Sequence, residues 1–113
     1  PGLAELRDHA GLTYLSLKHT RFQANGLVHL GQLKQLERLG LDDTNVTDEM
    51  LAGLAGLTKL RELWLNSTPI TDAGLVHLRG LKDLQVLHLD STEVTSEGVL
   101  ELQRAIPLLH VTR

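Results

Sequence analysis

Four threonines, Thr20, Thr44, Thr68 and Thr92, each close an apolar run and recur at one constant spacing. Self-similarity at a fixed period of this length constrains a chain more than any local propensity, because every copy must adopt the same supersecondary unit. The clearest copy is 60–83, LRELWLNSTPITDAGLVHLRGLKD. Within it Leu60, Leu63 and Leu65 follow Leu-x-x-Leu-x-Leu, where the last two alternate with outward positions as in a half-buried strand. Leu75, Leu78 and Leu81 then come three apart, the stripe of a short α or 3₁₀ helix facing the same core. Each copy therefore reads as strand, turn, short helix. Strands that begin at the same point of each copy and return by a crossover lie parallel and adjacent, and the chain winds into a right-handed coil.

These residues carry a resemblance. The Leu-x-x-Leu-x-Leu runs and the segment Thr68-Pro69-Ile70-Thr71-Asp72-Ala73-Gly74-Leu75, with its copies at 44–51 and 92–99, resemble leucine-rich repeat proteins, in particular a bacterial 24-residue class. The segment is also similar to the F-box-type and cysteine-containing repeats. Departures are local: Phe22, Gln23 and Ala24 stand where other copies have Val or Ile, Thr, and Asp or Ser, and threonine occupies a turn position where those families often carry Asn or Cys. The resemblance implies an α/β leucine-rich repeat solenoid with a parallel concave sheet and short convex helices. It further implies a module that binds other macromolecules on the concave strands.

Composition narrows the alternatives. A chain of 113 residues allows one domain, and 27 leucines among 42% hydrophobic residues supply a core despite three aromatics. The net charge is −3 with acidic and basic residues interspersed along the sequence, so neither a nucleic-acid footprint nor a basic membrane face is visible. No apolar run approaches the roughly 18 residues of a membrane span. Without cysteine there is neither a disulfide cap nor a Cys-based metal site. Gly-x-Ser-x-Gly, a phosphate-binding glycine loop and His-Glu-x-x-His are all missing, and no cofactor is expected. The reading is therefore a binding module and not an enzyme.

The expected organisation is a single domain over 1–113, with full copies at 12–35, 36–59, 60–83 and 84–107 and partial copies at 1–11 and 108–113. The chain begins and stops within a copy, which reads as a segment of a longer protein. Leu3, Leu6 and Leu12 at one end, and Leu108 and Val111 at the other, match core columns, so self-association through uncapped ends is a second expectation. Thr47, Thr71 and Thr95 are placed to cap helix N-termini. Gly26, Gly74 and Gly98 share a column with Met50, which makes glycine look permissive there. The four turn threonines are expected to satisfy backbone groups in a stacked ladder about 4.8 Å apart.

Function is expected on the outward strand positions. With the leucines inward, one outward column reads Tyr14, Arg38, Glu62, Val86, His110, the next Ser16, Gly40, Trp64, His88, Thr112, and a third Lys18, Asp42, Asn66, Asp90. The only Trp is thus predicted to be partly exposed at mid-sheet, where Trp, Tyr and Arg serve as interface anchors. The opposite reading lays its ring over strand backbone. The expected partner-binding set is Tyr14, Arg38, Glu62, Trp64, His88, Asp42, Asn66 and Asp90, with Gly40 leaving room beside the indole for a partner side chain. Two lesser readings are a metal site at His88, Asp90 and His110 and an acidic rim of Asp42, Asp43 and Asp90 that steers a basic partner or holds calcium.

Overall fold

A computed structural model describes His9 and residues 11–23 and 26–113. Five strands form one parallel sheet in sequence order: β1 Tyr14–Ser16, β2 Arg38–Gly40, β3 Glu62–Trp64, β4 Val86–His88 and β5 His110–Thr112. The register advances by one whole copy from each strand to the next, so Leu15, Leu39, Leu63, Leu87 and Val111 lie side by side. Bonds of the ladder continue past the strands, for Leu41 N–H donates to the Trp64 carbonyl and Leu65 N–H to that of His88. Behind the sheet run 3₁₀ segments at Gly26–Gln32, Met50–Leu54 and Val76–Leu78 and two α-helices, α1 Asp72–Leu75 and α2 Ser96–Ala105. The leucines of strands and helices meet in one core, with Leu39, Leu63 and Leu87 fully buried. Neighbouring strands stand about 4.8 Å apart and helices about 8–10 Å apart. The stack therefore curves with the sheet on the inside.

The turn after each strand is built the same way four times. His19, Asp43, Ser67 and Ser91 all have positive φ, between 55° and 66°. That left-handed residue turns the chain inward while its N–H still bonds the next strand's end, as Asp43 N–H does to the Asn66 carbonyl. The following threonine closes the turn. Thr44, Thr68 and Thr92 each donate their hydroxyl to the carbonyl three residues back, at 2.7–2.8 Å. The threonines therefore satisfy buried backbone as expected, yet each within its own turn and not through bonds to one another.

Two further expectations are corrected by the packing. Gly74 and Gly98 are not permissive: a β-carbon on either would collide with the carboxylate of Asp48 or Asp72. Those carboxylates hold the next copy by its backbone and hydroxyl, Asp48 to Thr71 at 2.8 and 2.6 Å and Asp72 to Thr95 at 2.7 and 2.5 Å. Met50, which holds the same column in the copy 36–59, is buried. At the end of the chain Leu108 is 94% exposed while Ile106 and Leu109 are buried. The cause is the helix. An α-helix rises about 1.5 Å per residue against about 2.0 Å for a 3₁₀ segment. The long α2 therefore delivers the core side chains one position late. Leu109 N–H then bonds the Ile106 carbonyl as Leu84 N–H bonds that of Leu81, and His110 restores the register by bonding Gln85. Leu3 and Leu6 lie outside the described residues.

Charge that alternates along the sequence is segregated in space. The strand-to-helix segments 42–49, 66–73 and 90–97 hold eight carboxylates and no Lys, Arg or His, whereas the equivalent segment of the first copy carries Lys18, His19 and Arg21 and no carboxylate. The helix-to-strand segments 31–37, 55–61 and 79–85 hold Lys34, Lys59, Arg61, Arg79 and Lys82 against Glu37 and Asp83. Because every crossover runs the same way, these lie on opposite long edges, one acidic from the copy 36–59 onward and the other basic, matching the positive and negative ends of the short helices.

Candidate partner-binding face

Alternation places Tyr14, Arg38, Glu62, Trp64 and His88 on the sheet face opposite the leucine core, as parity requires. Trp64 is half-buried, with its indole stacked on the His88 ring at 5.3 Å and 10°. The Tyr14 ring meets the indole edge-on at 6.5 Å and 86°. Tyr14 and Trp64 stand on β1 and β3, so they reach each other across β2, which is feasible because Gly40 has no side chain between them. Gly40 is itself buried. The room expected beside the indole is thus filled by the two rings, and the face offers a platform in place of a pocket. Tyr14 remains its most open member at 56% exposure.

Polar partners hold the platform in place. Glu62 Oε2 lies 2.8 Å from His88 Nε2, and the other ring nitrogen lies 3.0 Å from the Thr112 hydroxyl. A carboxylate only accepts, so the proton sits on Nε2 and, in the neutral ring, Nδ1 accepts from Thr112. Arg38 Nε is 4.0 Å from Glu62 Oε1 with its side chain 64% exposed. That pair contributes little to stability and leaves the guanidinium available. Stacking and two hydrogen bonds fix the rotamers of His88 and Trp64, which lowers the ordering cost of any contact made there.

The remaining expected site residues behave differently. Asp42 accepts the Asn66 N–H at 2.8 Å and Asn66 accepts the Asp90 N–H at 2.7 Å, so these side chains are rungs joining successive turns. Asp90 is exposed, and Asp43 pairs with His19 at 2.6 Å. His110 aligns with Val86 and not with His88, both of whose ring nitrogens are engaged. No group of three His, Asp or Glu side chains suited to a metal ion occurs among the described residues. The contact of Thr112 with His88 and the rung function of Asp42 and Asn66 were not legible in the sequence. The available signal was a polar side chain recurring at the same turn position of consecutive copies.

The profile of the family described as Leucine Rich repeat matches residues 56–78, most of them in the copy 60–83. A Leptospira interrogans leucine-rich repeat protein superposes over 97% of this chain at 23% identity and a TM-score of 0.63. The chain has the fold of a leucine-rich repeat solenoid. It spans 33% of the length of that Leptospira protein. Internalin C2 of Listeria monocytogenes matches over 96% of the solenoid and 55% of its own length, at 20% identity and a TM-score of 0.65. The solved structure of Leiomodin-1 Actin-Binding Site 2 matches over 98% of the solenoid and 76% of its own length, at 15% identity and a TM-score of 0.72. No curated protein sequence matches the chain. No helix among the described residues is long and apolar enough to cross a membrane.

Proposed function

We propose that this leucine-rich repeat solenoid is a protein-recognition module that binds a partner protein on its sheet face, around the platform of Tyr14, Trp64 and His88. One observation carries the reading: aromatic side chains that would gain from burial are held rigid on the solvent side of the sheet, with Tyr14 56% exposed. Large rigid aromatics beside an available Arg are the composition of interface hot spots. The Leiomodin-1 structure that shares the fold is an actin-binding site, which supports protein binding as the use of such a scaffold. Arg38 and Glu62 flank the platform on one side, and Asp90 lies beyond its other side. Asp42 and Asn66 contribute by fixing the turns.

Affinity capture from the source lysate with wild type beside Tyr14→Ala and Trp64→Ala tests this. Each substitution should weaken the partner so identified by about 2 kcal/mol or more while circular dichroism and thermal midpoint show a folded chain. A partner bound equally well by both variants would place recognition elsewhere.

A further inference from the structure

A cleft lies on the basic edge of the solenoid, away from the aromatic platform. It holds about 610 Å³ between the segment 82–85 and the segment 105–108, within the range of peptide and small-ligand sites. Its origin is the late arrival of α2: Ile106 and Leu109 take the core positions, and Leu108 is turned out to 94% exposure at the lip. Ala105, Ile106, Pro107 and Leu84 form an apolar wall. Arg61 and Lys82 also line it. The Arg61 side chain is 54% exposed and its nearest carboxylate, on Glu37, is 4.0 Å away. Lys82 Nζ uses one of its three donors on the Ala105 carbonyl at 2.9 Å. Asp83 is the one carboxylate on the lining.

We infer that this cleft binds an acidic peptide segment of a partner protein, with an apolar side chain against Leu108 and Pro107 and a carboxylate on Arg61 and Lys82. Charge decides the occupant. Two cations with free donors face the cleft against a single carboxylate, on an edge whose neighbouring segments add Lys34, Lys59 and Arg79, so a basic segment is repelled. The apolar wall accounts for the second requirement, because a fully exposed leucine gains free energy from any side chain that covers it. This surface is separate from the platform and does not depend on its role.

The test uses the isotope-labelled chain and two capped six-residue peptides, one alternating Leu with Glu and one alternating Leu with Lys. The acidic peptide should shift the amide signals of Lys82, Gln85 and Leu108 saturably, and the basic peptide should not. Arg61→Gln and Leu108→Ser should each weaken it about tenfold, and Lys82→Glu should abolish it, while Trp64→Ala binds as wild type. Equal shifts from both peptides, shifts centred on the Trp64 indole, or none at millimolar peptide would overturn the assignment.

Discussion

A β-carbon built on Gly74 would run into Oδ1 of Asp48 and sit 2.9 Å from Cδ1 of Leu51. The glycine exists so that the carboxylate of the preceding copy can reach Thr71, and the two positions form a unit that bridges consecutive copies. Asp72 with Gly98 repeats it. Gly74→Ala should cost about 1–3 kcal/mol in urea denaturation. In an Asp48→Ala background the same substitution should cost less than half as much. An undiminished cost would identify Leu51 as the obstacle. The positive φ of Ser67 is a separate residue-scale demand, since a β-branched side chain in that region is a true outlier.

Among the elements, α2 departs from the others and so shows what the period hides. Position-by-position matching aligns Leu108 with Leu84 and Ala105 with Leu81, whereas the structure buries Leu109 and Ile106 in those places. Thr95 caps the helix by accepting the Gly98 N–H at 3.3 Å, and Arg113 reaches back to the Val94 carbonyl and the Ser96 hydroxyl. Restriction of the residue before Pro107 stops the helix, leaving Ile106 outside the helical region at φ −131° and ψ 80°. Ile106→Ala should therefore destabilise by about 2–5 kcal/mol, and Leu108→Ala should fall within about 0.5 kcal/mol of wild type. Thermal unfolding of both variants decides it, and the reverse order would restore the simple register.

At the scale of the molecule each copy packs on its neighbours, with the Tyr14–Trp64 ring contact reaching one copy further, so stability is close to a sum of local and interface terms. The leucine core nevertheless runs without a break from Phe22 to Leu109. Removal of one fully buried side chain at its centre is felt on both sides. Leu63→Ala should cost about 2–5 kcal/mol, with Trp64 fluorescence and far-ultraviolet circular dichroism giving the same lowered midpoint. Separate midpoints would mean that the flanking copies unfold independently. The segregation of charge also belongs to this scale. Asp43 and Lys34 are near in sequence yet lie on opposite edges, because strand β2 carries the chain from one edge to the other between them.

What the sequence determined by itself was everything that follows from periodicity. Strand positions, their parallel order and copy-to-copy register, the inward leucines and the outward Trp64 all rest on spacing, and spacing survives folding when every copy meets the same geometric demand. Tertiary structure alone decided where neighbours interfere with one another. Tyr14 and Trp64 close over Gly40 because their strands flank it. Asp48 forbids a side chain at position 74. The longer α2 turns Leu108 out and opens the cleft beside Arg61 and Lys82. Each of these depends on distances between different copies, set by how far helix and strand rise per residue, and a linear pattern does not encode that length.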